Sequence, residues 1–123
     1  MEMNNITHKV IGLAMSIHSQ LGPGLLESVY KECLYYKIKQ AGLFVEKEKP
    51  IPLKFEGIKF ECGYRLDLLV ENLIVVEVKS VEGLHPLFDA QVLTYMRLGN
   101  YKLGLLINFN VLHLKDGIKR LII

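Results

Sequence analysis

The sequence lacks any hydrophobic run long enough to cross a bilayer. Its longest apolar stretches, such as residues 103–107, fall far below the roughly 20 residues that a transmembrane helix needs. The N-terminus has no basic segment followed by an apolar one, which is the pattern of a secretory signal. Cys33 and Cys62 are too far apart for a zinc site or a redox pair. We therefore expect a cytoplasmic protein with no membrane-spanning segment.

The sequence also has little net charge. The formal charge of +2 is too small to predict nucleic-acid binding by itself. The distribution is less even, because the segment from residue 97 to the end contains one acid, Asp116, and five bases: Arg97, Lys102, Lys115, Lys119 and Arg120. A basic end beside an acidic pocket would suit a polyanion held over a metal site. A solvated surface of mixed charge is an equally good interpretation of this pattern.

Repeats, linkers and low-complexity tracts are also missing. Hydrophobic residues make up 50% of the chain and charged residues 23%, which is the balance of an ordinary globular protein rather than a disordered one. The length of 123 residues suffices for one hydrophobic core. We expect residues 1–123 to form a single domain.

Three segments have the apolar spacing of amphipathic helices. They cover residues 6–20, 25–40 and 86–98. Gly22-Pro23-Gly24 separates the first two, since proline is tolerated only at a helix start. Gly42 is well placed as the C-terminal cap of the second helix.

The remaining segments have the period of strands. Pro50 and Pro52 predict an edge or irregular strand up to residue 55, and Glu56-Gly57 predicts a turn. Residues 59–70 and 73–80 look like two long antiparallel strands. Residues 102–108 predict a buried strand, and 111–115 with 118–123 predict a last hairpin around Asp116-Gly117.

Two acids and a lysine interrupt the two central strands, which are otherwise apolar. They are Asp67, Glu77 and Lys79. A buried carboxylate is costly unless it is paired or binds a metal. Because side chains alternate along a strand, Glu77 and Lys79 share a face. We predict that Val70 pairs with Ile74 across a three-residue loop, or that a bulge restores this register, so that Asp67 lies opposite Glu77.

This grouping of side chains suits metal-dependent hydrolysis of phosphodiesters. Mg²⁺ or Mn²⁺ needs only one or two protein carboxylates, and Asp67 and Glu77 would supply them, with the backbone carbonyl of Val78. Such an ion acidifies water and neutralises charge on a phosphate, while Lys79 would orient the water or stabilise the transition state. The alternative is an ion pair between Lys79 and either acid in a partly exposed sheet.

The segment Leu21-Gly22-Pro23-Gly24-Leu25-Leu26-Glu27-Ser28-Val29-Tyr30 resembles the signature of the GxxExxY family, a group in the PD-(D/E)xK nuclease superfamily. Gly24, Glu27 and Tyr30 are the signature positions. The resemblance continues, in the family's order, through residues 64–70, 76–79, 91–95 and 105–109.

The resemblance implies an α/β (α+β) fold with a restriction-endonuclease-like core. In that core a mixed β-sheet is flanked by helices, two before the sheet and one after the Glu-x-Lys strand. It also implies that Glu27 joins the metal shell and that Gln91 and Tyr95 position the phosphate or the ligating acids. The alternatives are a glutamate favoured by the helix dipole and a half-buried core tyrosine. His18 also resembles a family position, where a hydrogen-bonded structural histidine is the preferred interpretation over a ligand.

The sequence therefore supports two functional hypotheses. The first is a Mg²⁺-dependent nuclease that cleaves DNA rather than RNA. The second is an inactive nuclease-fold module that binds nucleic acid or a protein partner. Because a domain this small contacts little duplex alone, we expect a homodimer or a partner protein in either case.

Overall fold

The computed structural model describes residues 2–61 and 63–123. Cys62, one of the two cysteines considered above, lies outside the described residues. The elements in chain order are α1 (Met3–Leu21), α2 (Glu27–Gln40), β1 (Val45–Pro50), β2 (Leu53–Phe55), β3 (Ile58–Phe60), β4 (Arg65–Val70), β5 (Ile74–Lys79), α3 (Pro86–Gly99), β6 (Leu103–Asn108), a 3₁₀ helix (Leu114–Gly117) and β7 (Ile118–Ile122).

The main sheet is mixed, as expected. Its five strands lie in the order β1-β4-β5-β6-β7. β5 and β6 are parallel, and the other neighbours are antiparallel. The parallel pair needs a crossover connection, which α3 provides. Two helices precede the sheet and one follows the Glu-x-Lys strand, so the predicted α/β (α+β) architecture is confirmed.

Each face of the sheet has its own hydrophobic core. Leu68 and Val76 face α1 and α2, whereas Leu69 and Val75 face α3. This follows from the alternation of side chains along β4 and β5. β6 is buried along its whole length, which agrees with its continuous apolar sequence.

The helices agree with the predicted ones in number and position. Gly42 follows the C-cap residue Ala41 with a φ of 86°, a left-handed conformation that glycine adopts without strain. α2 begins at Glu27 rather than at residue 25, so Leu26 precedes the helix and is 72% exposed. The helix therefore begins two residues later than its apolar spacing predicts.

The long strand expected over residues 59–70 is in fact two strands. β3 ends at Phe60 and pairs back on β2 in a separate two-stranded sheet, while β4 begins at Arg65. Glu56 and Gly57 connect β2 and β3 with φ angles of 51° and 80°, and two positive φ angles are what a tight hairpin turn requires. A local hairpin therefore replaces the expected extension of the central strand.

The hairpin expected near the end of the chain is also absent. Residues 111–113 form no strand, and a 3₁₀ helix follows before β7 pairs directly with β6. Buried Leu114 anchors this segment, and the backbone carbonyl of Val111 accepts a hydrogen bond from His18 Nε2 (2.7 Å). Because a side chain satisfies this backbone group, the segment needs no strand partner.

Candidate active site

The β4–β5 hairpin has the register predicted from its sequence. Val70 pairs with Ile74 and Leu68 with Val76. The loop between the strands has three residues, and Glu71 and Asn72 have φ angles of 54° and 56°. The next positions along the two strands are Asp67 and Glu77, so the prediction that they lie opposite each other is confirmed.

The two carboxylates join the strands at this point. Glu77 Oε1 accepts a hydrogen bond from the backbone N–H of Asp67 (3.0 Å). Asp67 Oδ2 accepts one from the backbone N–H of Val78 (2.8 Å). Each acid is therefore held by the backbone of the opposite strand, and hydrogen bonds to charged acceptors are among the stronger ones in proteins.

The other side of β4 is distorted at the same position. Lys47 pairs with Leu68 and Lys49 with Leu66, but Glu48 between them has a φ of 53°. A left-handed conformation costs a non-glycine residue roughly 1–2 kcal/mol. Leu66 and Leu68 consequently pack into different cores, although they lie two positions apart in one strand. Asp67 lies between them, at the position where the alternation of side chains along β4 is interrupted.

Each carboxylate keeps one oxygen for a further partner. In residues 2–61 and 63–123 no hydrogen bond engages Oδ1 of Asp67 or Oε2 of Glu77, and neither atom is fully buried. Glu77 itself is only 5% exposed. Burial, followed by the charge of Asp67, raises the pKa of Glu77 to about 8. A buried acid and a half-buried one, each with an available oxygen, fit a hard divalent cation.

Lys79 lies on the same side of the sheet as Glu77. Its Nζ is 4.8 Å from the centroid of the Phe88 ring in α3. In the part of the chain that the structure describes, Lys79 forms no salt bridge with Asp67 or Glu77. The alternative interpretation of the acid-x-lysine pattern as an ion pair is therefore not what the structure shows.

Gln91 and Tyr95 lie together on α3. Gln91 Nε2 donates a hydrogen bond to the Tyr95 hydroxyl (3.1 Å), as expected for residues four apart on a helix. Burial, followed by the negative charge of Glu77, raises the pKa of Tyr95. Tyr95 therefore lies within electrostatic reach of the acid pair. Both residues line a cleft of about 330 Å³ whose walls are Leu53, Tyr64, Gln91, Thr94, Tyr95 and Leu98.

Glu27 lies apart from the two acids. It is exposed, in the first turn of α2, and α2 packs on the opposite face of the sheet from α3. The preceding loop is fixed to the end of β5, because Ser80 Oγ donates to the carbonyl of Leu25 (2.6 Å). In the described part of the chain no three His, Cys, Asp or Glu side chains are grouped as metal ligands. The metal-binding role of Glu27 therefore stays a prediction.

Several other polar residues hold the loops around this end of the sheet. The Tyr30 hydroxyl donates to the carbonyl of Gly22 (2.5 Å) and accepts from the N–H of Leu25 (3.1 Å). His18 is hydrogen-bonded to backbone, as noted above, so its structural interpretation is supported. Buried Asn108 bonds both the N–H and the carbonyl of Val81, each at 3.0 Å. Sequence reasoning missed Asn108, and its signal was an amide at the end of an apolar strand.

Comparison with known proteins gives the family. A model of the PD-(D/E)XK nuclease superfamily matches residues 4–121. Because this match covers almost the whole sequence, the chain belongs to the PD-(D/E)XK nuclease superfamily. Searches of curated proteins and of solved structures found no match. The narrower resemblance to the GxxExxY family stays a prediction.

Membership in this superfamily suggests a nuclease, and it implies a nucleic acid as the substrate. Nucleases of the superfamily generally use divalent metal ions, which agrees with the acid pair described above. The mixed α+β arrangement is consistent with a restriction-endonuclease-like fold. In the described residues, no helix combines the length and hydropathy required to span a membrane.

Proposed function

We propose that this chain is a Mg²⁺- or Mn²⁺-dependent nuclease that hydrolyses phosphodiester bonds, in DNA rather than RNA. The supporting observation is the pair of Asp67 and buried Glu77, each held by a backbone N–H of the opposite strand, with Lys79 two positions after Glu77 in β5. A core sheet would not retain two adjacent acids unless a cation balanced their charge.

The residues of the site would have different roles in the reaction. Asp67 and Glu77 would hold the ion, with the backbone carbonyl of Val78 and with Glu27 directly or through water. A bound divalent ion supplies Lewis-acid activation of water and neutralises charge on the phosphate. The ammonium of Lys79 would lie against the phosphate as its negative charge increases.

Gln91 and Tyr95 would position the substrate. The hydrogen bond between them keeps the amide and the hydroxyl side by side on α3. Both groups can donate to phosphate oxygens, and both line one cleft with Leu53 and Tyr64. A fixed phosphate lowers the entropy cost of reaching the reactive geometry.

The proposal is tested by incubating the protein with single- and double-stranded DNA and RNA in Mg²⁺ and in Mn²⁺. We expect cleavage of DNA that chelation of the metal abolishes. Asp67→Asn, Glu77→Gln and Lys79→Ala should each lower the rate by at least about 100-fold. Lys9→Ala, which changes an exposed lysine of α1, is the matched control and should cleave at the wild-type rate. Equal cleavage by wild type and Asp67→Asn would refute the proposed site.

The second hypothesis is a catalytically inactive nuclease-fold module that binds nucleic acid or a protein partner. The observation that favours it is the position of Glu27, which leaves two carboxylates rather than three close together. Calorimetric titration with Mn²⁺ separates the hypotheses. A nuclease must bind Mn²⁺, and Asp67→Asn should weaken that metal binding. An inactive module would instead bind nucleic acid equally well with and without the metal.

A further inference from the structure

The β2–β3 hairpin carries an apolar face that is mostly exposed. Leu53 is opposite Phe60 and Phe55 is opposite Ile58, so these four side chains, the apolar hairpin face, lie on one side. Phe55 is 61% exposed, Ile58 59% and Phe60 41%. Large apolar side chains exposed on an edge hairpin favour aggregation. We therefore expect a binding partner to cover them.

The apolar hairpin face is continuous with the candidate active site. Leu53, at the start of the hairpin, and Tyr64, just after it, line the same cleft as Gln91 and Tyr95. The rings of Tyr64 and Tyr95 are 5.9 Å apart between centroids. The ring of Tyr64 therefore connects the hairpin end of this cleft with Tyr95.

The other side of the hairpin is basic. Lys54 and Lys59 are directly opposite each other in the register, and like charges in such positions repel. Lys59 is also 3.6 Å from the carboxylate of Glu61, but exposed ion pairs of this kind contribute little. The hairpin thus presents ring faces on one side and ammonium groups on the other.

The size of the patch decides between two occupants. Aromatic side chains bury ~150–250 Å² each, so the exposed parts of Phe55, Ile58, Phe60 and Tyr64 together offer roughly 400 Å². A stable dimer buries about 800 Å² on each partner, so a second copy of the chain would find too little surface here. An unpaired nucleic-acid base needs only one aromatic side chain for binding, because every base has a face that stacks on an aromatic ring.

We propose that the apolar hairpin face and Tyr64 bind an unpaired stretch of the DNA substrate. Bases stack on Phe55, Phe60 and Tyr64, while Lys54 and Lys59 on the opposite side of the hairpin add only a long-range attraction for the phosphates. The strand then enters the cleft at Gln91 and Tyr95. This inference rests on the proposed function for the identity of the substrate, and it adds that the nuclease recognises single-stranded DNA.

The test measures binding apart from cleavage. Asp67→Asn protein in a buffer with chelator is titrated against a labelled single strand and against a duplex of the same length, and fluorescence anisotropy gives the affinities. Phe55→Ala should weaken single-strand binding about tenfold and leave duplex binding unchanged, since paired bases expose no face. Phe55→Tyr, which keeps an aromatic ring, should bind single strands with the wild-type affinity. Phe55→Leu, which is apolar without a ring, should bind them as weakly as Phe55→Ala.

Phe44→Ala is the matched control, because Phe44 is an exposed aromatic residue at the other end of β1. It should bind both substrates as wild type does. Equal affinities for Phe55→Ala and Phe44→Ala would overturn the inference. A wild-type dimer that Phe55→Ala dissociates, with single-strand binding intact, would also overturn it in favour of a second copy of the chain.

The outcomes also separate this inference from the proposed function. Phe55-dependent binding of single strands by a protein that cleaves nothing would support the hairpin's role and refute the nuclease. If Phe55→Ala left metal-dependent cleavage of both single strands and duplexes unchanged, the nuclease would be supported and the role of the hairpin would be refuted.

Discussion

Glu77 is a buried acid in the central strand β5. Its carboxyl group is buried next to the charge of Asp67, and the pKa rises from 4.5 to about 8 as a result. Lys79 opposes this shift but does not cancel it. The acid pair is therefore a destabilising feature of the metal-free fold, which a bound cation would relieve.

The first prediction at this scale concerns stability and pH without metal. Below pH 4.5 Glu77 is protonated in both states, whereas between 4.5 and about 8 the folded chain keeps a proton that the unfolded chain has released. The free energy of unfolding should thus fall as pH rises through this window, by up to about 1 kcal/mol per pH unit from this group. Urea denaturation with chelator measures it. Glu77→Gln should flatten the profile and the exposed control Glu82→Gln should not; parallel profiles for wild type and Glu77→Gln would contradict the prediction.

The second residue prediction concerns Tyr30. Its hydroxyl makes two hydrogen bonds to the loop of Gly22 and Leu25, while its ring stacks on Phe109 at 4.5 Å between centroids. Tyr30→Phe removes both bonds and keeps the ring, so we expect a loss of about 1–3 kcal/mol of stability. Thermal denaturation checks it, with the exposed Tyr36→Phe as the neutral control. A midpoint equal to that of the wild type would show that the loop does not depend on this hydroxyl.

At the scale of elements, the packing of α3 on β6 positions Gln91 and Tyr95. Gly104 in β6 provides the close approach, because a Cβ there would lie 2.8 Å from Met96 Sδ and 3.3 Å from Val92 Cγ1. These two side chains belong to the buried face of α3. Any displacement of the helix would therefore move the residues that we propose to position the phosphate.

Gly104→Ala is the corresponding prediction. We expect a loss of about 1–3 kcal/mol of stability from overpacking, together with a lower cleavage rate. Met96→Ala in the same protein should restore part of both, since it frees the space that the new methyl group needs. Gly12→Ala in α1 meets no atom within 4 Å and should stabilise the helix slightly. If Gly104→Ala lowered stability while the cleavage rate held, α3 would not position the substrate.

At the scale of the whole molecule, we keep two expectations: that residues 1–123 act as one domain, and that this domain is cytoplasmic. A third concerns assembly, since the cleft and hairpin that we propose as the binding surface would contact only a short length of nucleic acid. We expect a homodimer or a complex with a partner protein, which light scattering at micromolar concentration tests for the purified chain. A monomer that cleaves DNA unaided would contradict this expectation.

The sequence by itself determined the three helices, the central strands β4, β5 and β6, and the register that sets Asp67 opposite Glu77. These features depend on local periodicity, on glycine and proline positions and on the parity of a three-residue loop, all of which are readable along the chain. The superfamily was also accessible, because its motifs occur in order through residues 24–109.

Only the tertiary structure decided how these elements meet. β3 pairs with β2 in a separate hairpin instead of extending β4, and β7 pairs with β6 instead of with residues 111–115. The tertiary structure also keeps Glu27 outside the group formed by the acid pair, and it exposes the apolar hairpin face. Strand partners and burial depend on contacts between residues far apart in sequence, and a periodic pattern shows which side of an element is apolar without showing what covers it.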